Sequence, residues 1–226
     1  MHLTRILAVG VLLLLDIAPA RANTLWYSGD GDGNNAYINQ NNAEYQEILY
    51  NGFTVPAGGW HVTSAWSNNV FALTDGSPSG PPASTTAQWA ILSGIPSTPT
   101  VVASGDAPAA LTLIGNPLLA PFTDYQLLVS GLSVNLAPGN YWLATYPDNT
   151  NGGLAGNDST SGANSVGTTF GTLFYSFDGG STFGGPFGFV TSAGLGGNVT
   201  PEPASMLLLG LGALGLFSAA RRHRMA

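Results

Sequence analysis

The stretch Trp60-His-Val-Thr-Ser-Ala-Trp66 decides the fold class. Large apolar and polar side chains alternate along it, so that Trp60, Val62 and Trp66 fall on one face and His61 and Ser67 on the other. Successive side chains of a β-strand point to opposite faces of the sheet. The alternation therefore predicts a half-buried strand.

The same kind of pattern recurs along most of the chain. Alternating or short apolar runs bounded by Gly, Pro, Asn or Ser occupy 48–55, 87–92, 100–104, 111–114, 125–129, 141–145, 170–177 and 187–190. About nine or ten short strands with turn-rich connections predict an all-β domain, specifically an antiparallel, jelly-roll-like β-sandwich. A short helical turn is expected only at 41–46.

Glycine and proline set the expected boundaries of this domain. The stretches 74–86 and 147–164 are too rich in these residues to continue a strand ladder, so both are expected to be surface loops. The sandwich is expected to span 23–190. A Gly-rich linker is expected at 191–200.

The N-terminus has the features of a secretory signal peptide. Arg5 precedes an apolar run from Ile6 to Leu15, and small residues follow at Ala20 and Ala22. A run of about ten residues is too short to span a bilayer, which needs about 20. We expect a signal helix within residues 1–22, removed by cleavage after Ala22.

The C-terminus carries a second apolar segment with a different sequel. Pro201-Glu202-Pro203 precedes the uncharged run 204–220, and Arg221, Arg222 and Arg224 follow it. About 17 apolar residues reach the lower limit for a single transmembrane helix, and the three arginines that follow would be retained on the cytoplasmic side. The domain would then lie outside the cell.

These C-terminal residues together resemble the PEP-CTERM sorting tail, a motif also labelled as the ice-binding protein C-terminal domain. The resemblance implies processing by an exosortase, a membrane-embedded cysteine protease-transpeptidase, near Pro201-Glu202-Pro203. It also implies an inner-membrane-anchored precursor, a mature form at the cell surface or outside it, and a host that makes exopolysaccharide. The ice-binding label describes the tail and carries no information about the domain.

The domain has a resemblance of its own. The segments 25–33, 51–55, 59–63, 129–132 and 136–143 are similar to those of an uncharacterised family of PEP-CTERM surface proteins. This resemblance implies no activity.

The charge distribution excludes several classes of partner. All five basic residues lie in the two terminal segments, and the chain contains no lysine and no cysteine. Nucleic acid and anionic lipid both require Lys or Arg, so neither is an expected partner of the domain. Disulfides cannot stabilise it, which leaves its core or bound ions.

Asp30-Gly-Asp32-Gly-Asn34 is the candidate metal site. Oxygen ligands spaced by glycines can wrap a Ca²⁺ ion, and Asp148 and Asp158 are candidate additional ligands. The segment departs from the EF-hand pattern, and its dipeptides are also ordinary turn formers. A calcium site and a simple turn both remain open.

We expect the domain to be non-enzymatic, with a structural or adhesive role in the envelope or exopolysaccharide. A carbohydrate-binding module is the first alternative and would show an exposed aromatic strip, with Trp142 as the residue of interest. A polysaccharide-active hydrolase is the second and would show paired carboxylates, for which Glu44 and Glu47, three residues apart and on one face of a helical turn, are the candidates. His61 is the sole histidine of the domain, and no serine is singled out for a triad with it.

Overall fold

A computed structural model describes residues 23–41, 45–82, 85–114, 121–148 and 153–200. The predicted signal helix at 1–22, with Ala20 and Ala22, and the sorting tail at 201–226 lie outside the described residues. So do residues 42–44, which are half of the expected helical turn at 41–46; its two ends, Asn41 and Gln46, belong to strands.

The described chain is all-β, as predicted, and its strands form one sheet of 13 members. The strands are β1 (Asn23–Tyr27), β2 (Gly31–Ile38), β3 (Gln40–Asn41), β4 (Gln46–Val55), β5 (Trp60–Ala72), β6 (Thr85–Ser93), β7 (Thr100–Leu113), β8 (Asp124–Leu136), β9 (Gly139–Pro147), β10 (Leu154–Thr160), β11 (Thr168–Ser176), β12 (Gly184–Phe187) and β13 (Ala193–Val199).

Hydrogen bonding runs without interruption through ten strands in the order β1-β13-β5-β8-β7-β6-β9-β4-β11-β12. β10 continues the β13 edge of β5 and pairs with β2, while β3 pairs with β4. The sheet curls so that its ends approach: Trp26 Nε1 in β1 donates to Thr169 Oγ1 in β11 at 2.9 Å. The antiparallel prediction is confirmed, but the strands form one curled sheet, a half-barrel, rather than the two separate sheets of the predicted sandwich.

The main core fills the inside of this curl. Phe53 lies between Trp26 and Trp60, with ring centroids 5.2 and 5.9 Å away. Leu127, Val129, Leu143, Leu195 and Ile91 belong to the same buried cluster. One aromatic stack therefore joins β1, β4 and β5, strands that are not neighbours in the ladder, and holds the sheet curled.

A smaller core covers the opposite face of β4, β6 and β9. Trp142 is 8% exposed and packs edge-on against Phe170 and Phe174, whereas Leu143 enters the main core. The alternation predicted around Trp142 is confirmed. Trp142 is buried, however, and does not belong to an exposed surface.

Strand β5 contains a bulge that the sequence pattern did not predict. Its register with β8 shifts between Val62 and Ser64. The inward positions then change from even to odd numbers, so Ser67 is buried and Trp66 is half-exposed. The face assignments of these two residues were therefore wrong.

Three predicted boundaries are also corrected. The runs 100–104 and 111–114 belong to one strand, β7, and the expected loop at 147–164 contains β10. The expected linker at 191–200 contains β13, which pairs with β1 on one side and β5 on the other. Its glycines fit because a Cβ on Gly194 would overlap the Trp66 ring. Their role is close packing rather than flexibility.

Candidate functional site

Five aromatic rings form a continuous strip across β2, β11, β12 and the segment that follows β12. Tyr37 stacks on Phe189 at 4.3 Å between ring centroids, and Phe189 lies 5.8 Å from Phe187. Tyr175 is 4.7 Å from Phe187 and 4.2 Å from Phe177. Phe177 is 59% exposed and the other four rings are half-buried. We call these five residues the aromatic strip.

The strip exists because β12 is the last strand of the ladder. Gly184 lies opposite Tyr175 in the register, and a Cβ there would stand 3.2 Å from the tyrosine ring. The absence of that atom leaves room for Tyr175 to lie across the strand. Phe187 is held by pairing with Leu173, whose own side chain is fully buried. Tyr37, Tyr175 and Phe187 therefore lie on paired strands, whereas Phe177 directly follows β11 and Phe189 follows β12.

A cleft of about 500 Å³ adjoins the strip at Phe189, which contributes to both. Its lining is Ser28, Thr160, Ser161, Ser165, Thr168 and Thr169, with Gly162, Gly167, Gly188, Val190 and Phe189. Hydroxyl groups dominate this lining, and no charged side chain belongs to it. We call it the hydroxyl cleft.

The candidate metal residues lie beside this cleft, where each already has protein partners. Asp30 accepts hydrogen bonds from Tyr27 Oη at 2.9 Å and from Asn164 Nδ2 at 2.6 Å. Asp32 Oδ1 accepts from Ser159 Oγ at 2.7 Å and from the Asn34 backbone N–H at 2.9 Å. The two carboxylates thus serve different partners, and Asn34 is exposed.

The hydrogen bonds to Asp32 also decide its protonation. Partial burial alone would raise the pKa of Asp32, but the bonds from Ser159 and the Asn34 backbone outweigh it and hold the pKa below its usual range. Within the described ranges, no group of three or more His, Cys, Asp or Glu side chains is arranged to hold a metal ion. Calcium at Asp30, Asp32 and Asn34 stays a prediction.

A buried polar junction lies where β10 and β13 meet along β5. Asn157 Nδ2 donates to the backbone oxygens of Asn68 and Ser192 at 2.6 and 3.0 Å. Asn68 Nδ2 donates to Ser192 Oγ at 2.8 Å, and the Ser192 backbone N–H donates to the Asp158 carbonyl at 2.7 Å. These bonds replace ladder pairing where one strand ends and the next begins. Only the Asn and Ser content of these segments could have indicated the junction from sequence.

The other candidate residues have structural partners or lie elsewhere. His61 Nδ1 is 2.9 Å from Asn135 Oδ1 across the β5–β8 ladder. Asp148 accepts from Gln88 Nε2 at 2.7 Å. Glu44 lies outside the described residues, so its pairing with Glu47 stays a prediction.

The aromatic strip contains no tryptophan, so the sequence prediction centred on Trp142 does not include it. Trp26, Trp60, Trp89 and Trp142 are all buried. The rings of the strip, which are exposed or half-buried, are instead tyrosines and the phenylalanines interleaved with glycine between 177 and 189. That interleaving was the available signal.

The C-terminal segment of the chain matches a known family model. Residues 199–222 match the PEP-CTERM protein-sorting motif. The match contains Pro201, Glu202, Pro203, Arg221 and Arg222, and it confirms the predicted PEP-CTERM motif, although Arg224 lies outside the matched residues. The motif implies export through an exosortase-type system and delivery to the cell surface or exterior.

Comparison beyond the motif finds no significant match among curated proteins and none among solved structures. The described part of the chain also has no helix of a length and hydrophobicity that would cross a membrane. The ice-binding label, the similarity of the domain to a family of surface proteins and the transmembrane helix at 204–220 stay predictions.

Proposed function

We propose that the protein is a non-enzymatic adhesive component of the envelope or exopolysaccharide matrix, and that it binds neutral polysaccharide along the aromatic strip. The observation that supports this proposal is the continuity of the strip with the hydroxyl cleft at Phe189.

The chemistry of the two surfaces suits a sugar polymer. The C–H faces of a pyranose ring stack on aromatic rings, and consecutive rings 4.2 to 5.8 Å apart offer a track for successive sugar units. The hydroxyls of the neighbouring cleft can donate to and accept from sugar hydroxyls. A row of weak contacts on a displayed protein gives avidity to a repetitive polymer.

Charge favours a neutral polymer over an acidic one. The domain carries carboxylates and no Lys or Arg, so an acidic polysaccharide would be repelled. No carboxylate belongs to the lining of the hydroxyl cleft within the described residues. Glycoside hydrolysis needs two such groups flanking the scissile bond, and the proposal is therefore binding without cleavage.

The proposal predicts that Phe189→Ala weakens binding to polysaccharide about tenfold, equivalent to about 1.4 kcal/mol, because it removes the ring shared by strip and cleft. Affinity electrophoresis of the exported protein in gels containing a soluble neutral glucan, and binding to the host's own extracellular polysaccharide, measure the effect.

Leu113→Ala is the matched control, since Leu113 is 57% exposed on β7 and lies outside the strip. It should bind like the wild type. Equal binding by the wild type and Phe189→Ala to every polymer tested would contradict the proposal, as would release of reducing ends from any of them.

A further inference from the structure

A groove of about 340 Å³ lies where β4 and β13 end and β1 and β5 begin. It follows the seam of the curled sheet, since Tyr27 of β1 is bridged to Val166 on one side and paired with Gly194 of β13 on the other. Its apolar lining is Leu25, Pro56, Trp60, Val166 and Val199. We call it the seam groove.

The seam groove exposes apolar side chains and carries no charge. Val166 and Val199 are 40% and 59% exposed, and both border the groove. No charged side chain belongs to its lining within the described residues. Exposed apolar groups gathered in a concavity are typical of an interaction surface, and the depletion of charge is typical of the centre of a protein interface. The groove therefore suits an apolar, uncharged segment of another protein.

The sorting motif begins inside this groove. Val199 lines the groove and is also the first residue of the motif match at 199–222. Val199 is paired with Trp60 in β5, and the Thr200 backbone N–H donates to the Gly59 carbonyl at 3.1 Å. The fold therefore fixes the chain up to the residue that precedes the Pro-Glu-Pro segment.

This anchoring brings the processing enzyme close to the domain. The motif implies an exosortase-type enzyme, which is expected to act near Pro201-Glu202-Pro203. A chain advances at most about 3.6 Å per residue, so an enzyme acting on these three residues works within about 11 Å of Thr200 by any path. That distance is about the diameter of one helix with its side chains. The surface around the active site of the enzyme therefore meets the domain at Val199.

We propose that the seam groove is a docking surface for the exosortase-type enzyme, which seats an apolar, uncharged segment there while it processes the tail. Docking on the domain adds to recognition of the motif, because two contacts reinforce each other when the linker between them is short. The enzyme then favours a precursor whose domain has folded, since four strands must assemble to form the groove. The proposal is independent of the proposed sugar binding.

The decisive variant is Val166→Asp, because Val166 lies outside both the motif and the lining of the hydroxyl cleft. An unpaired carboxylate is costly in an apolar interface, so conversion of the full-length precursor to the mature form should slow about fivefold. Pulse-chase labelling in an exosortase-competent host measures the rate. Leu113→Asp is the matched control, since it places the same charge at a 57% exposed apolar site on β7 and should be processed like the wild type.

A spacer distinguishes loss of docking from misfolding. About 12 Gly/Ser residues inserted between Thr200 and Pro201 add about 19 Å of average reach, which separates the motif from the groove. With this spacer, Val166→Asp and the parent chain should be processed at one equal, slower rate.

Three results would overturn the proposal. The first is equal processing of Val166→Asp and Leu113→Asp without the spacer. The second is the same slowing by Val166→Asp with and without the spacer, which would place the defect in folding. The third is a concentration-dependent dimer of the surface protein that Val166→Asp abolishes, because it would assign the groove to a second copy of the chain.

Discussion

Ending the chain after Ser192 is expected to leave the domain unfolded, although it removes only β13 and the tail. β13 is hydrogen-bonded to β1 and to β5, so its loss detaches β1 from the sheet and leaves residues 60–67 of β5 paired on one side only, with β8. It also removes Leu195, which is fully buried among the main core residues. Circular dichroism and limited proteolysis measure the effect, and a chain that ends after Thr200 is the folded control.

A single substitution in β13 tests the role of the same strand without shortening the chain. Gly194→Val should destabilise the fold by about 3 kcal/mol or more, because its Cβ would overlap the Trp66 ring and would also lie 2.9 Å from the Trp26 carbonyl oxygen. Gly188→Ala is the control, since a Cβ there meets nothing within 4 Å. Equal melting temperatures for the two variants would show that β13 does not pass between these tryptophans.

Period-2 alternation predicted the strands that pair on both sides with other alternating strands, such as β5, β8 and β9. It did not predict the bulge after Val62, because the shift is set by the partners β8 and β13 rather than by the residues of β5. Curling into one sheet depends on the contacts of Phe53 with Trp26 and Trp60, which join residues far apart in sequence. Spacing alone cannot give such contacts.

β13 shows a second limit of predicting structure from sequence patterns. Ala193-Gly-Leu-Gly-Gly-Asn-Val199 has the composition of a flexible linker, and nothing in it alternates. Whether glycine means freedom or close packing depends on what lies beside it, here the Trp66 ring and the backbone carbonyl of Trp26. The aromatic strip could not be predicted from sequence either, because its rings are far apart in the chain. They come together only when β12 pairs with β11 and Tyr37 of β2 stacks on Phe189.

The position of β13 changes what is expected of sorting. β13 ends at Val199, and the Thr200 backbone N–H donates to the Gly59 carbonyl at 3.1 Å. The sorting motif begins at residue 199, so the folded domain and the motif adjoin without a spacer. Asn23, the first residue of the expected mature chain, pairs with Gly197 in this same part of the sheet.

The mature surface protein is therefore expected to be a folded domain trimmed close to both ends. Its intact mass should correspond to a chain that starts near Asn23 and ends near Pro201-Glu202-Pro203, plus any attached group.

Replacing Arg221, Arg222 and Arg224 with neutral residues should give unprocessed or misrouted protein, because retention on the cytoplasmic side depends on Lys and Arg near the helix end. The domain of that variant should keep the wild-type protease resistance, since β13 is complete at Val199. Mass spectrometry of the surface fraction decides the matter: a chain that still ends at Ala226 in an exosortase-competent host would show that the tail is a permanent anchor.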